Sequence, residues 1–194
     1  TAEAAKEGDA NLTFNFQLSN PPQAGSATSL TVNVGGTIYT VNVDASGKGT
    51  LLVPNTNGAD VYIDPSKVTA TVTEVNGGNF EAVDLSGATT TVTVEDTIDT
   101  TTVAVTAVPA KEGDANLTFN FQLSNPPQTG SATSLTVNVG GTNYTVDIDA
   151  SGKGTLLVPN TNGADVYIDP SKVTETVTEV DGGNFEAVDL SGAT

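Results

Sequence analysis

Hydrophobic and polar residues alternate with a period of two along most of this chain. In Leu12-Thr13-Phe14-Asn15-Phe16-Gln17-Leu18 every second residue is apolar. That places Leu12, Phe14, Phe16 and Leu18 on one face of a half-buried strand. Asn20-Pro21-Pro22 then reverses the chain, because proline has no N–H to give to a ladder. Leu30, Val32 and Val34 form a second inward row, and Gly35-Gly36 makes a hairpin turn into Tyr39, Val41 and Val43. A loop over 45–49 leads to a strand at 50–53. A long loop follows, with Asn57-Gly58 and Asp64-Pro65 as its turn signals. Strands at 67–75 and 89–94 flank a glycine-rich loop, and a strand at 102–107 turns Val103 and Val105 inward. Val68, Ala70 and Val72 should share the core face of their strand. No stretch has a helical period. About seven strands of roughly five to nine residues in each repeat fit an immunoglobulin-like sandwich. The fold class expected is all-β, two tandem immunoglobulin-like Greek-key β-sandwich domains.

The repeat is the dominant feature of the sequence. Residues 6–89 realign with residues 111–194 at a shift of 105, and the copies differ at six of these 84 positions. The differences are Ala24/Thr129, Ile38/Asn143, Asn42/Asp147, Val43/Ile148, Ala70/Glu175 and Asn76/Asp181. A period this long suits an independent domain, not a solenoid turn. The stretch 90–105 occurs once, between the copies. The expected division is a first domain at 1–96 with a truncated opening strand, a linker at 97–100, and a second domain at 101–194 with a truncated closing strand. The chain reads as a piece of something longer.

Composition narrows the chemistry. Six Lys and no Arg face 23 acidic residues, a net charge of −17. Nucleic acid needs cationic partners, and anionic membrane surfaces attract basic segments, so neither is an expected partner. No apolar run approaches the roughly 20 residues of a membrane span, so no membrane insertion is expected. The natural counterpart of this charge is a bound cation, although an acidic surface also resists aggregation by itself. There is no Cys and no His. Disulfides, thiolate chemistry, His-based triads and the usual zinc or haem ligands are therefore excluded. Ser46-Gly47-Lys48-Gly49-Thr50 lacks the order and following helix of a phosphate loop. No residues suggest an enzyme.

Alternating strands bring every second loop to the same pole of a sandwich. Three acidic segments share one pole of the first repeat: Glu7-Gly8-Asp9, the stretch from Asp60 to Asp64, and Asp96-Thr97-Ile98-Asp99. The next repeat would present Glu186, and its own outgoing pole carries Glu112, Asp165 and Asp169. Crowded carboxylates repel. A hard cation taking six to eight oxygens relieves that repulsion, and calcium tolerates flexible loops better than magnesium. The candidate metal ligands are thus Glu7, Asp9, Asp60, Asp64, Asp96, Asp99, Glu186, Glu112, Asp165 and Asp169. An EF-hand loop and the calcium β-roll nonapeptide are both absent.

The run Asp60-Val61-Tyr62-Ile63-Asp64, then Gly77-Gly78-Asn79-Phe80-Glu81, then Asp96-Thr97-Ile98-Asp99 through Val103, ending in Lys111-Glu112-Gly113, resembles the extender repeats of large RTX biofilm adhesins. These are type-I-secreted proteins of Gram-negative bacteria. The resemblance covers essentially the whole chain. It implies immunoglobulin-like or cadherin-like modules with calcium at their junctions. It also implies an extracellular stalk, exported by type I secretion, whose partners are adjacent repeats of the same chain and whose binding target is carried by other domains. By matching position it carries over Asp96, Asp99 and Glu7 as junction ligands, and after them Asp60, Asp64 and Glu186.

The expected function is a structural spacer of a giant cell-surface adhesin, rigidified by calcium. The rival is a module that itself binds a glycan or a surface, suggested by the Thr-rich runs 89–93 and 100–102. Threonine favours exposed strand positions without any ligand.

Overall fold

The computed structural model describes all 194 residues and contains strands and no helix. The chain folds as tandem β-sandwich domains. One compact unit comprises Thr1–Asp60 with Asp64–Thr97, the other Val61–Ile63 with Ile98–Thr194.

In the first unit the strands are β1 (Ala5–Lys6), β2 (Asn11–Gln17), β3 (Thr28–Val34), β4 (Thr37–Val43), β5 (Lys48–Pro54), β6 (Ser66–Gly77) and β7 (Thr89–Glu95). One sheet has the order β1-β7-β6-β3-β4, and β2 pairs with β5 in the other. All these pairs are antiparallel except β1 with β7. Alternation does what the sequence pattern demands. Leu12, Phe14, Leu51 and Val53 from one sheet meet Leu30, Val32, Val41, Ala70, Val72, Val92 and Val94 from the other in one buried cluster. Phe14, Val32 and Val94 are fully buried. The Gly35-Gly36 turn has positive φ at both residues, 57° and 91°, the backbone that a two-residue hairpin needs.

The second unit has β8 (Thr100–Ala107), β9 (Asn116–Leu123), β10 (Thr133–Val139), β11 (Thr142–Ile148), β12 (Lys153–Pro159), β13 (Glu175–Gly182) and β14 (Ala187–Asp189). Its sheets are β12-β9-β8-β14 and β11-β10-β13. Its core gathers Phe119, Phe121, Leu123, Leu135, Val137, Val146 and Val177. Val61–Ile63 packs within this unit. Tyr62 bridges Phe185, with ring centroids 6.1 Å apart, and donates its hydroxyl to the Pro126 carbonyl at 2.8 Å.

Strand ends differ from the sequence pattern. β8 begins at Thr100 and β6 runs from Ser66 to Gly77, because ladder pairing continues past the last core residue. A bulge leaves Thr73 between Val72, opposite Val32, and Glu74, opposite Thr31. The Thr73 hydroxyl donates to the Thr31 carbonyl at 3.2 Å, and the second unit repeats this with Thr178 and Thr136 at the same distance. The bulge follows the Val68-Ala70-Val72 row and leaves its phase intact. Glu175 therefore takes an inward position like Ala70, and it is only 8% exposed.

Candidate metal centre

Three loops of the first unit converge around Glu7. The first is a tight turn after β1. The Lys6 N–H donates to Asp9 Oδ2 at 2.7 Å, and the Asp9 N–H donates to the Lys6 carbonyl at 3.3 Å. Gly8 sits at φ +73°, and a Cβ there would stand 3.0 Å from the Ala59 side chain. A larger residue would push this turn off the second loop. The second loop is pinned by two asparagines. Asn55 donates its side-chain amide to the Lys6 carbonyl at 3.1 Å. Asn57 donates to the Asp64 carbonyl at 3.1 Å, and its own carbonyl accepts the Gly8 N–H at 2.9 Å. The third segment follows β7, where the Glu7 N–H donates to the Glu95 carbonyl at 2.9 Å.

This scaffold gathers four carboxylates. Glu7 is 3% exposed. Its Oε1 accepts the Thr97 N–H at 3.1 Å and also the Thr97 hydroxyl, and its Oε2 accepts the Asp60 N–H at 3.4 Å. Asp96 Oδ2 accepts the Asp64 N–H at 3.2 Å. Glu7, Asp60 and Asp64 each offer an oxygen within 4.8 Å of the others. Asp64 Oδ1 and Asp96 Oδ1 are buried and have no hydrogen-bond partner. Buried carboxylate oxygens without donors are costly. Burial pushes the Asp64 carboxyl above its usual range; the Asn57 side chain opposes this, and the charges of Asp60, Asp96 and Glu7 add to it.

An all-oxygen, anionic donor set fits a hard divalent cation. The two donorless oxygens are atoms of this cluster that could take a cation.

The other candidate ligands have contacts of their own. Asp9 closes the turn described above. Asp99 uses its N–H, donating to Glu186 Oε2 at 2.7 Å within the second unit. Glu112, Asp165 and Asp169 form a second group with oxygens within 4.8 Å, all three exposed. The asparagine frame is repeated there: Asn160 donates to the Lys111 carbonyl and Asn162 to the Asp169 carbonyl. Asp165 Oδ1 caps its own loop through the Tyr167 N–H at 2.7 Å.

Two contributors carry no charge, so a search for acidic residues passes over them. Thr97 holds Glu7, and Asn57 ties the long loop to the Gly8 turn. The only sequence sign of Thr97 is its place beside Asp96. The Thr-rich runs form hydroxyl pairs across β6 and β7, Thr69 with Thr91 at 2.8 Å and Thr71 with Thr89 at 3.1 Å.

The family model of the LapA domain matches residues 1–97 and again residues 99–194. No curated protein matches the chain.

Proposed function

This chain belongs to the LapA domain family through both of its repeats, LapA being a large adhesin of biofilm formation, and from that premise we propose that the pair is a calcium-stiffened spacer of a cell-surface adhesin. The observation that carries the calcium reading is the acid cluster of the first unit. Glu7, Asp60 and Asp64 share a space 4.8 Å across, and the buried Asp64 Oδ1 and Asp96 Oδ1 have no donor.

Asp96 and Thr97 are the last residues of the first unit before Ile98. A cation held by Asp96, Asp64, Asp60 and Glu7 therefore ties down the segment that leads into the next repeat. Without it, four carboxylates within a few ångströms repel, and that segment is released. In a repeated array this stiffening turns a flexible string into a rod that carries a binding domain, located elsewhere in the protein, away from the cell. Export fits the same scheme. Type I secretion would handle the modules while calcium is scarce inside the cell, and external calcium would complete them by stabilising the folded state.

Calorimetric titration with calcium tests the site. Saturable binding is expected whose tighter step disappears in a chain carrying both Asp60→Asn and Asp64→Asn, with magnesium binding more weakly. Small-angle scattering tests the stiffening. The distribution of maximum dimension should narrow and lengthen in calcium, and an unchanged profile after chelation would refute the spacer mechanism.

A further inference from the structure

We infer that the turn at residues 182–186 of the second unit is a recognition seat for an extended tripeptide with a central tyrosine. Its occupant is Val61–Ile63, which belongs to that unit. Each residue of the tripeptide is held in its own way. The Val61 carbonyl accepts the Glu186 N–H at 3.1 Å. The Ile63 N–H donates to the Asn184 carbonyl at 3.0 Å, and the Ile63 carbonyl accepts the Asn184 side-chain amide at 3.0 Å. Between them Tyr62 and Phe185 form an antiparallel bridge. The two rings lie 6.1 Å apart at 31°, and the Tyr62 hydroxyl donates to the Pro126 carbonyl at 2.8 Å. Main-chain bonds to an extended segment, with side-chain reading at alternate positions, are how strand-addition sites recognise peptides.

The seat is shaped by its own sequence. Gly182, Gly183 and Asn184 follow one another at φ of 78°, 78° and 57°. A Cβ at Gly182 would collide with the Ala132 carbonyl oxygen, and one at Gly183 with the Phe185 ring. Glycine at 183 therefore lets that ring fold back over the turn and form the floor under Tyr62. Asparagine is among the few side chains that accept the left-handed backbone at 184. Gln128 buttresses the turn: its N–H donates to the Gly183 carbonyl at 3.1 Å, and its Oε1 accepts the Asn184 amide at 2.8 Å. The two N–H donors of that amide thus serve one bond inside the seat and one to Ile63. The first unit repeats the turn. Gly77, Gly78 and Asn79 have φ of 80°, 77° and 56°, and Gln23 makes the same two bonds at 3.1 and 2.6 Å. One sequence gives one turn twice, so its shape comes from Gly-Gly-Asn-Phe and the glutamine behind it. A seat preformed in this way lowers the ordering cost of docking.

The reading is selective at one position. Ile63 is 50% exposed and is held by its backbone, as Val61 is by its carbonyl. Only Tyr62 is read through its side chain, by ring contact and by the hydroxyl. A phenylalanine there would keep the first and lose the second. The ligand class is therefore an extended segment with tyrosine in the middle and little demand on its neighbours. The seat uses the N–H of Glu186 and no carboxylate, so it needs no cation and goes beyond the calcium reading.

The test uses the whole 194-residue chain in a chelating buffer, with hydrogen exchange read at single amides. The Ile63 and Glu186 amides report on the seat, since both donate across it. Tyr62→Phe should speed their exchange about two- to tenfold, the scale of one hydrogen bond. Asn184→Gly keeps the left-handed backbone but removes the side-chain amide, and it should speed the same two amides. Ile63→Ala should leave the Glu186 amide within about twofold of the parent, as an exposed side chain predicts. Amides of β2 and β3 in the first unit should keep their rates in all three variants. Unchanged exchange at Ile63 and Glu186 in Tyr62→Phe would overturn the inference. So would an effect of Ile63→Ala on the Glu186 amide as large as that of Tyr62→Phe, or a change confined to the first unit. Tyr62→Phe decides the matter alone if Asn184→Gly unfolds the second unit.

Discussion

Thr97 gives both of its donors to one oxygen of Glu7. The residues lie 90 positions apart. The contact therefore clamps the end of the first unit to its beginning, around a carboxylate that is 3% exposed.

Removing the hydroxyl should loosen this clamp. Thr97→Val keeps the shape and the N–H but takes one donor from a buried charge. With calcium chelated, the first unit should lose about 1–3 kcal/mol, read by urea unfolding and by faster exchange of β1 and β7 amides. Thr97→Ser should stay close to the parent protein. Equal losses in the two variants would show that the methyl contact, not the donor, matters.

The two acid groups should differ in affinity. That of the first unit is organised by a buried Glu7 and joined by Asp96. That of the second, Glu112 with Asp165 and Asp169, is exposed. Preorganisation lowers the cost of binding, so a calcium titration should resolve one tighter and one weaker step. Asp64→Asn should abolish the tight step, and Asp169→Asn the weak one. A single class of equal sites would contradict this assignment.

Asp64 gives the metal-free chain a definite pH dependence. Its folded carboxyl lies above the ordinary value of 3.8, so the folded state holds its proton more tightly than the unfolded one. That contribution is fully present below the unfolded value and is lost as pH rises through the raised one. In chelator the first unit should therefore gain relative stability on mild acidification. Asp64→Asn should flatten this dependence and raise stability at neutral pH. Thermal melts from acid to neutral pH decide it, and a variant that keeps the slope would rule out Asp64 as its source.

Much of this fold was legible from alternation alone. Leu12-Phe14 and Leu30-Val32-Val34 are buried as the period of two requires, because a strand has only two faces. The acid cluster was partly legible. Glu7, Asp60, Asp64 and Asp96 stand out as carboxylates in loops that strand alternation sends to one pole. What joins them was not legible. Asn57 acts through its amide on the Asp64 carbonyl and Thr97 through its N–H and hydroxyl on Glu7 Oε1, and neither residue carries a charge or a periodic signature. The effect of β7 on burial was also hidden, since the sequences around Glu7 and Glu112 are the same and only their partners differ.

Ala70 offers a test of that partner effect. In the first unit it is 1% exposed beneath β7, paired with Thr90. Its counterpart Glu175 lies on a strand that pairs with β10 alone. A carboxylate at position 70 would be enclosed with no cation beside it, whereas Glu175 keeps 8% of its surface exposed against 1% for Ala70. Ala70→Glu should therefore cost the first unit about 3–5 kcal/mol at neutral pH, the scale of an uncompensated buried charge, and acid should recover part of it. Glu175→Ala should stabilise the second unit by only about 1 kcal/mol. Comparable effects of opposite sign at the two positions would mean that Glu175 is as fully enclosed as Ala70.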